Sequence, residues 1–436
     1  MTTAHYDAIV IGAGFAGMTA ARELGSRGKR TLVLEAKDRV GGRAYTETLA
    51  GHLVELGGAW VHWTQPHVWT EITRYGLGIV PDEKAVFANF PGADGQMKTY
   101  PGAEILARQQ ELLERLFAGW EEYFERPHDP WFRAEKLAEV DKLSLRDRIL
   151  ELELSPEDEN LLWGWASGES GGLSSRGALT MPGHWWAMGG LQLIGFDAIF
   201  NLRLEVGMQK LVELMAADVA ESELRLNTAV KAVHDDGTAV IVTAASGEVF
   251  TASTAVVTVP VNVWKNIEFS PALPEPYTRA STETIGVPNA VKLALHLRGD
   301  FEGAFYAQGE EGSAFIGLFP HRVLPDGTHL VVGFCVEEGV DVNDRKQVED
   351  AVRHLEPRAE VIDYKLHDWG RDEFSEGGWA YRQPGQLTTM QEIQRPQGRL
   401  AFASGDIANG WSGCVDGAIE SGIVAARHVA GLLGQD

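Results

Sequence analysis

The chain has 436 residues, 44% of them hydrophobic and 23% charged, which is the composition of a globular protein large enough for two domains. Its formal net charge of −24 leaves no basic surface to meet phosphates, which argues against binding of nucleic acid. The two cysteines, Cys335 and Cys414, are too few and too far apart for a disulfide framework or a paired set of zinc ligands.

The first residues, MTTAHYDAIVIGAGFAG, contain neither a basic leader segment nor a small-residue cleavage site. Their apolar run is far shorter than the ~20 residues that span a bilayer. The sequence therefore predicts a cytoplasmic protein that has no membrane partner and no metal site.

A strand, a helix and a second strand follow one another at the start of the chain. The run YDAIVIGAG is apolar, rich in β-branched residues and ends in glycine, as a buried parallel strand does. A helix is expected from Phe15 to about Arg27, with Gly28 at its end. The run RTLVLE then predicts a second strand, which completes a βαβ unit.

Two kinds of region alternate in the rest of the chain. Helical periodicity with capping-type starts marks EILARQQELLERLFAGWEEYF and SPEDENLLWGWASGES. Strands separated by turn signals are expected over 224–259, in NAVKLALHLRG, in THLVVGFCVEEG and in GRLAFASG. A long helix is expected from about Val415 to Leu433. This alternation predicts two interleaved domains, each built from separated segments.

The motif GAGFAG carries the first chemical signal, because it follows a strand and opens a helix. Gly12 permits the tight turn, Gly14 lets a pyrophosphate approach the backbone at the positive helix end, and Gly17 lets helix and strand pack closely. Glu35, 18 residues after Gly17, can accept hydrogen bonds from both ribose hydroxyls. These features predict a dinucleotide site, and its contacts include the intervening and following residues Phe15, Ala16 and Ala36.

The motif RVGGRAYTE favours FAD over NAD as the bound dinucleotide. Gly41 and Gly42 supply a second close backbone approach, and Arg43 supplies a guanidinium for phosphate, which a plain NAD-binding unit does not need. The chain here resembles the GR2-type flavoproteins, whose N-terminal motif ends in this GGR. The resemblance implies FAD.

Two further blocks resemble the flavin-containing monoamine oxidase family. The segment VELGGAWVHWTQPH matches the family's flavin-facing loop, and GWSGCVDGAIESG matches its C-terminal motif. The blocks span essentially the whole chain. Within the family, the segments GGAWVH and EGGWA are similar to the corresponding segments of bacterial amine oxidases such as the hydroxynicotine and pseudooxynicotine oxidases.

The resemblance implies further contacts to FAD. The amide of Val415 is expected to point, with the helix dipole, at the flavin pyrimidine edge. Val230 is expected to pack against adenine, and Asp406 to lie near the ribityl phosphate part. The other positions that the family motifs assign to FAD are Gly58, Ala59, Trp60 and Gly405.

Lys292 is the first candidate for the chemistry. It lies in a strand that places Val291 and Leu293 on one face and Lys292 and Ala294 on the other. From the pattern alone, the ordinary interpretation of Lys292 is a lysine on a solvated face. The resemblance implies that it holds a water against the flavin and assists flavin reoxidation.

Trp379 and Cys414 occupy the two positions of the family's aromatic cage. A tryptophan in a turn can also serve packing only, and a lone cysteine can be a small buried hydrophobe. Since tyrosine is usual at the position of Cys414, the resemblance implies a wider, half-aromatic cavity. Gly378 stands where mammalian monoamine oxidases have the cysteine that tethers FAD, so FAD is expected to be non-covalent.

His62 and Trp186 are the remaining candidates for lining the substrate cavity. His62 follows the flavin-facing loop, and Trp186 lies in the aromatic segment MPGHWWAMGG. For both residues, core packing is an equal alternative to contact with substrate.

Together these features predict an α/β fold with a Rossmann-type FAD-binding domain interleaved with a substrate domain of mixed sheet plus helices. The FAD domain is expected over 1–75, 202–285 and 391–436, and the substrate domain over 76–201 and 286–390.

The function implied is oxidation of a small-molecule amine to an imine, with O2 reoxidising FAD to give hydrogen peroxide. The aromatic residues favour an apolar, cyclic or heteroaromatic primary or secondary amine. An FAD-dependent dehydrogenase or desaturase with another electron acceptor, and a non-catalytic flavin-binding protein, stay open as alternatives. A homodimer also stays open.

Overall fold

A parallel βαβ unit begins the fold, as the sequence predicts. The computed structural model describes residues 5–434 apart from 194, 196–200, 220–221, 314 and 337. Its first strand, β1 (His5–Ile11), is mostly buried and leads through helix α1 (Phe15–Gly25) to the fully buried strand β2 (Thr31–Leu34). Helix α1 ends at Gly25, two residues before the predicted end at about Arg27. Gly28, with a φ of +69°, lies in the turn that follows.

The other strands are, in chain order, β3 (Thr46–Leu49), β4 (His52–Glu55), β5 (Ile79–Pro81), β6 (Phe87–Pro91), β7 (Met97–Pro101), β8 (Leu202–Leu204), β9 (Ser222–Arg225), β10 (Val230–Asp235), β11 (Val240–Ala244), β12 (Val249–Val257), β13 (Glu268–Ser270), β14 (Val291–Arg298), β15 (Phe305–Gln308), β16 (Phe315–Val323), β17 (His329–Cys335), β18 (Glu360–Asp368) and β19 (Leu400–Phe402).

The other helices are α2 (Pro66–Arg74), α3 (Gly102–Leu116), α4 (Ala134–Val140), α5 (Leu145–Glu151), α6 (Pro156–Glu169), α7 (Thr180–Met188), α8 (Met208–Ala217), α9 (Glu275–Glu283), α10 (Arg345–Leu355), α11 (Met390–Ile393) and α12 (Val415–Leu432). Short 3-10 turns lie at Trp120–Glu122, Pro130–Arg133, Val261–Asn266, Leu387–Thr389 and Gly405–Ile407. The helices predicted in the middle segment and at the end of the chain are therefore confirmed.

The first sheet has the order β13-β10-β11-β12-β1-β2-β9, and β19 pairs with the last residues of β12. β1, β2 and β9 run parallel, as do β12 and β19, whereas β10 to β12 form an antiparallel meander. Helices α1 and α12 cover this sheet side by side. They approach so closely that a Cβ at Gly422 would lie 2.4 Å from the carbonyl oxygen of Ala16, which explains a glycine in the middle of α12.

The second sheet has the order β18-β14-β17-β16-β15-β6-β7. Its pairs are antiparallel except for β15 and β6, which run parallel. Helix α6 packs on β6 and β16, and helix α10 packs on β16 and β18. Two short antiparallel pairs, β3-β4 and β5-β8, accompany the sheets. The predicted α/β fold with two sheets from interleaved segments is confirmed.

The strands of the first sheet lie within 1–75, 202–285 and 391–436, and those of the second lie within 76–201 and 286–390. In the short pair β5-β8, β5 belongs to the segment 76–201 and β8 belongs to the segment 202–285. The proposed domain boundaries themselves stay a prediction.

None of the helices in the described part of the chain is long and apolar enough to cross a bilayer. Within the same residues, no group of three His, Cys, Asp or Glu side chains is placed to hold a metal ion.

Candidate active site

Two glycine-rich loops face each other where β1 ends. Gly14 and Gly42 approach within van der Waals distance, since a Cβ at Gly42 would lie 3.5 Å from the Cα of Gly14. Gly12 has a φ of +107°, which only glycine adopts without strain. A Cβ at Gly17 would lie 2.0 Å from the carbonyl oxygen of Gly12, so any other residue there would push α1 off the sheet. The loops thus leave bare backbone at the amino end of α1.

The amino end of α1 has no side-chain cap, because its N-cap is Gly14, and no acidic residue lies in its first turn. Phe15 and Ala16 begin the helix and are buried. Uncapped N–H groups at a helix start attract an anion such as a pyrophosphate. This arrangement agrees with the role that the sequence predicts for the loop.

Glu35 lies just after β2 and is 6% exposed. Its carboxylate accepts hydrogen bonds from the amides of Ala13 at 2.7 Å and Lys37 at 2.9 Å. Burial raises the pKa of this carboxyl, and these hydrogen bonds lower it. Ala36 lies between Glu35 and Lys37 in the same turn. The carboxylate is thereby held beside the glycine loop, where a ribose would follow a pyrophosphate.

Val230 begins β10 close to Glu35 in space. The amide of Thr228, two residues before Val230, donates to the carbonyl oxygen of Glu35 at 2.7 Å. Val230 is half-buried. Val230 thus begins its strand near the proposed ribose contact, and its packing against adenine stays a prediction.

Arg43 and Asp406, which the sequence assigns separately to the cofactor, are paired with each other. Arg43 Nη2 donates to Asp406 Oδ1 at 2.7 Å, and Arg43 Nη1 donates to the carbonyl oxygen of Gly378 at 2.8 Å. Asp406 is 1% exposed and also accepts from the Ser404 hydroxyl and the Val261 amide. The pair joins the second glycine loop to the segment before α12.

The amino end of α12 lies opposite the flavin-facing loop. A Cβ at Gly58 would lie 3.5 Å from Val415 Cγ2, so these two segments nearly touch. Cys414 is the N-cap of α12 and makes no side-chain capping bond. The carbonyl oxygen of Gly405 accepts from the Gly413 amide at 2.7 Å, which fixes the turn before the helix. Ala59, next to Gly58, is 6% exposed.

Asp416, in the first turn of α12, spans the gap to helix α2. Its Oδ1 accepts from the amides of His67 at 2.6 Å and Val68 at 2.9 Å, at the start of α2. Its Oδ2 lies 3.1 Å from His67 Nδ1, and this contact raises the pKa of the imidazole. Asp416 has 0% exposure. One carboxylate therefore clamps the C-terminal helix to the segment that follows the flavin-facing loop.

These features fit FAD. The facing glycines give backbone access for a pyrophosphate, and Glu35 provides a carboxylate for a ribose. Two helix starts without a side-chain cap, at α1 and α12, have positive dipole ends that would suit the phosphates and the flavin pyrimidine edge of a bound FAD. Gly378 has no side chain to which the cofactor could be attached. A larger residue would not fit at this position, because its Cβ would lie 2.4 Å from the Cβ of Ala290.

Aromatic rings form a continuous wall beside the flavin-facing loop. Trp379 packs against Phe334 with ring centroids 5.5 Å apart, and Phe334 against Phe319 at the same separation, both edge to face. Trp60 contacts both phenylalanines, at 6.1 Å and 6.4 Å. Tyr306 extends the wall, with its ring 5.1 Å from that of Phe319. We call these five side chains the aromatic wall.

Lys292 reaches this wall from β14, which lies between β17 and the edge strand β18 of the second sheet. It is 4% exposed, so the interpretation as a lysine on a solvated face is wrong. Its Nζ donates to the carbonyl oxygen of Gly57 at 2.8 Å. It also lies 4.9 Å from the ring centroid of Trp60 and 5.3 Å from that of Phe334, in cation–π contact with both.

The charge of Lys292 depends on the buried carboxylate of Glu55 and the half-buried carboxylate of Asp82. Burial lowers the pKa of the lysine, whereas Glu55 and Asp82 act to raise it. Burial also raises the pKa of Glu55, whose carboxylate accepts from the Met208 amide and the Thr46 hydroxyl. A lysine whose proton is held less tightly than usual suits proton transfer near neutral pH.

Asp82 connects Trp60 of the aromatic wall with Arg203. It accepts from the Trp60 indole at 2.7 Å and forms an ion pair with Arg203. Trp60 is therefore oriented by a hydrogen bond as well as by packing, which keeps its ring beneath Lys292.

Cys414 lies close to the segment that carries Trp379. A Cβ at the preceding residue, Gly413, would lie 3.3 Å from the Cβ of Ala380, the residue after Trp379. Burial raises the pKa of the Cys414 thiol well above its ordinary range, which argues against a nucleophilic role. The segments that carry the two predicted cage positions therefore lie against each other, and the cage itself stays a prediction.

His62 and Trp186, the two further residues predicted to line the substrate cavity, each contact another aromatic residue. His62 Nδ1 contacts the Thr64 hydroxyl, and its ring lies against Trp63. Trp186 stacks on Phe117 at 5.4 Å and lines a separate cavity of about 540 Å³. The roles of His62 and Trp186 as substrate-lining residues stay predictions.

Tyr306 belongs to the aromatic wall and Glu169 acts on it electrostatically, although the sequence does not predict either residue as part of the site. Both are half-buried, and the Glu169 carboxyl acts electrostatically on the Tyr306 phenol and on the Cys414 thiol. Tyr306 donates to Gln308 Oε1 at 3.0 Å. The one signal in the sequence was an acid at the end of a helix otherwise rich in small and apolar residues, WGWASGE.

Comparison with known proteins agrees with this geometry. Residues 15–430 match the model of the family described as flavin containing amine oxidoreductase. The chain is 36% identical to pseudooxynicotine dehydrogenase from a Pseudomonas species over 438 positions, which cover 98% of this chain and 87% of the relative. It is 30% identical to (S)-6-hydroxynicotine oxidase from Paenarthrobacter nicotinovorans, with 97% of this chain and 99% of the relative covered.

Among solved structures, a redesigned putrescine oxidase superposes on the fold with a TM-score of 0.82. It covers 98% of this chain and 99% of its own, at 23% sequence identity. At that identity the likeness concerns the fold alone.

Proposed function

Since the chain belongs to the flavin-containing amine oxidoreductase family, whose members oxidise amines with FAD, we propose that it oxidises an apolar, cyclic or heteroaromatic primary or secondary amine to the imine. The observation that carries this proposal is the contact of Lys292 with the aromatic wall beside the flavin-facing loop. The relatives whose names refer to nicotine-type amines support the cyclic or heteroaromatic class.

FAD, when bound, supplies the acceptor for the hydride equivalent that leaves the carbon next to nitrogen. The residues proposed to hold it are the glycine loops, Glu35, the Arg43–Asp406 pair and the start of α12. Ala59, Gly405 and Val230 border the same region. Non-covalent binding follows from Gly378.

The aromatic wall selects the charge state of the amine. Trp379, Phe334 and Phe319 offer apolar faces without hydrogen-bond partners for water, so an ammonium group loses hydration there and the neutral amine is favoured. The absence of a tyrosine at Cys414 leaves room beside Trp379 for a branched or cyclic amine. Flat packing against the remaining rings then positions the reacting carbon.

Lys292 is proposed to hold and move a proton at Nζ. Burial favours its neutral form, whereas the cation–π contacts and the charges of Glu55 and Asp82 favour its charged form, so the proton is held loosely. Its hydrogen bond to Gly57 fixes the position of the nitrogen beside the flavin-facing loop. Such a group can bind the water that hydrolyses the imine to an aldehyde or ketone.

The electron acceptor defines two versions of this function. We propose dioxygen, with hydrogen peroxide as the product, as the resemblance implies. A dehydrogenase that uses another acceptor is the second candidate, because a relative with 36% identity is named a dehydrogenase. The expectations of a cytoplasmic location and of a homodimer stay predictions.

Anaerobic mixing with an amine library tests the proposal. The purified yellow protein should lose its flavin absorbance with cyclic or heteroaromatic amines, and admission of air should restore it with one equivalent of hydrogen peroxide. Bleaching without peroxide on reoxidation would select the dehydrogenase version. No bleaching by any primary, secondary or polyamine would overturn the function and favour a non-catalytic flavin-binding protein.

A further inference from the structure

The carboxylate of Asp82 is shared between a tryptophan of the aromatic wall and a cation. The Trp60 indole donates to Asp82 Oδ2 at 2.7 Å, and Arg203 Nε forms an ion pair with Asp82 Oδ1. Arg203 is buried and Asp82 is half-buried. Because each carboxylate oxygen has its own partner, the group cannot turn without breaking a charge-assisted contact.

Three chain segments meet at this carboxylate and fix its position. Asp82 follows β5, and its amide donates to the Asn201 carbonyl oxygen at 2.9 Å. Arg203 lies in β8, which pairs with β5, and it also forms a β-bridge with Trp60. His321 of β16 adds a contact, with Nδ1 3.5 Å from Asp82 Oδ1. Since burial lowers the pKa of His321, Arg203 is the cation that balances Asp82 near neutral pH.

The ring of Trp60 is a surface against which Lys292 lies. Lys292 Nζ is 4.9 Å from the ring centroid of Trp60 and 5.3 Å from that of Phe334. A hydrogen bond from the indole N–H to a carboxylate increases the electron density of the ring, because hydrogen-bonded groups polarise one another. A more electron-rich ring face attracts a cation more strongly. The charge of Asp82 thus reaches the ammonium group through the indole.

Several ionisable groups surround Lys292. Burial lowers its pKa, Glu55 on β4 and Asp82 act to raise it, and Arg203 acts to lower it further. His367 lies opposite Lys292 on β18. Asp82 acts in a second way, because it also binds the ring against which Nζ lies. A change at Asp82 should therefore alter both the position of Nζ and the stability of its positive charge.

On the premise of the role proposed for Lys292 in amine oxidation, we propose that Asp82 is a positioning residue that acts through the Trp60 indole. It holds Lys292 Nζ beside the flavin-facing loop and strengthens the binding of a proton there. Arg203 keeps the carboxylate ionised and oriented. The pH at which Lys292 changes from proton donor to proton acceptor is thereby set by a residue that lies one ring away from it.

A direct titration of Lys292 tests the inference without a substrate. The FAD-loaded enzyme is labelled with [ε-13C]lysine, and the Lys292 signal is identified by its absence from the spectrum of Lys292→Met. Its chemical shift is followed as pH is raised from about 6 to about 10. Asp82→Asn removes the charge and keeps an acceptor for the indole, and in this variant the midpoint should fall by about one pH unit or more.

A double-mutant cycle separates action through the indole from direct attraction between charges. Trp60→Phe keeps an aromatic face beside Nζ but has no N–H to donate to Asp82, so the midpoint should fall in this variant as well. In the Trp60→Phe background, Asp82→Asn should shift the midpoint by at most about half as much as in wild type. Equal shifts in both backgrounds would overturn the inference, because Asp82 would then act by its charge alone.

Two comparisons exclude a general effect of structure or charge. Trp60→Phe leaves the Asp82–Arg203 pair intact, so it tests the inference even if Asp82→Asn does not fold, and an unchanged midpoint in Trp60→Phe would overturn it. Glu83→Gln removes an exposed carboxylate next to Asp82 in the chain and should leave the midpoint unchanged. A shift as large as that of Asp82→Asn would mean that any nearby charge has this effect, and would also overturn the inference.

The pH profile of the reaction gives a second readout. The rate at which dioxygen reoxidises the reduced enzyme should have an inflection at the midpoint of Lys292, and in Asp82→Asn the inflection should move to lower pH together with that midpoint. A rate that is lowered equally at every pH, with no movement of the inflection, would indicate a purely structural role and would contradict the inference.

Failure of this inference differs from failure of the proposed function. If no amine bleaches the flavin, the proposed function fails, whereas the titration of Lys292 still tests the action of Asp82. If amines bleach the flavin and Lys292 titrates alike in wild type and Asp82→Asn, the function stands and the inference fails.

Discussion

Arg43 and Asp406 lie 363 positions apart in the chain and form a direct ion pair, with Nη2 donating to Oδ1 at 2.7 Å. Asp406 is 1% exposed and accepts two further hydrogen bonds, so its charge is compensated from several sides. The pair joins the second glycine loop to the approach of α12, and both segments are proposed to hold FAD. Its loss should therefore affect stability and cofactor retention together.

A double-mutant cycle measures this pair. Arg43→Met and Asp406→Asn should each lower the midpoint of denaturation and increase FAD loss on dialysis. The double variant should cost less than the sum of the single ones, with a coupling of about 1–3 kcal/mol, because each single change leaves an unpaired charge or acceptor. Additive effects would show that the two residues act separately.

Lys292→Met should reduce turnover by about a hundredfold, as loss of a positioned proton-transfer group does. The flavin content should stay close to that of wild type, since Lys292 contacts Gly57 and the aromatic wall rather than the glycine loops. Rapid mixing of reduced enzyme with air locates the effect in reoxidation or in imine hydrolysis. Lys365→Met, an exposed lysine on the neighbouring strand β18, is the control. Unchanged kinetics in Lys292→Met would remove its assigned role.

Glu35→Ala should weaken FAD binding by about tenfold to a hundredfold, since a charged acceptor for the ribose is lost. The flavin released on gel filtration and a fluorescence titration of the apoprotein measure this directly. Asp38→Ala, three residues further along and exposed, should bind FAD as wild type does. A fully loaded Glu35→Ala protein would contradict the ribose contact.

Cys414→Tyr should narrow the space beside Trp379 and shift preference from branched or cyclic amines towards slim, flat ones. The ratio of kcat/KM for benzylamine to that for cyclohexylamine should rise by about tenfold, which corresponds to ~1.4 kcal/mol of steric discrimination. Cys335→Ala, at the other cysteine in β17, should leave the ratio unchanged. If the ratio does not move in Cys414→Tyr, Cys414 does not line the site.

Glu169 should make stability depend on pH. Burial raises the pKa of its carboxyl from an ordinary value of 4.5 to about 8 in the folded protein. Ionisation is therefore easier in the unfolded chain, and the folded state loses stability as pH rises from about 4.5 to 8. Glu169→Gln should melt like wild type at pH 5 and at a higher temperature than wild type at pH 9. Parallel melting curves at both pH values would mean that Glu169 ionises normally.

The sequence predicts the cofactor half of the site from signals that are local in the chain. Gly12, Gly14 and Gly17 act within one turn, and Glu35 follows at the end of the next strand, so spacing alone indicates their roles. Trp379 and Cys414 required the family resemblance, since nothing in their own segments shows that Gly413 packs on Ala380.

The partners of the charged groups could not be predicted in the same way. The Arg43–Asp406 pair and the approach of Glu169 to Tyr306 join residues from separate segments, and their contacts depend on how two sheets pack together. The burial of Lys292 could not be predicted for the same reason. Alternation along β14 suggests a solvated face, but Trp60 and Phe334, which come from other segments, lie against Lys292 in the fold.

The clamp formed by Asp416 constrains the order in which the protein can mature on the ribosome. Its carboxylate fixes the amides of His67 and Val68, so the flavin-facing loop acquires its final support from a residue made about 350 positions later. The nascent chain can therefore form the first glycine loop early, yet it cannot complete the cofactor cradle until α12 has been translated. We therefore expect FAD capture to be a late event of biogenesis, so a ribosome stalled before residue 415 should carry a chain that does not retain the flavin.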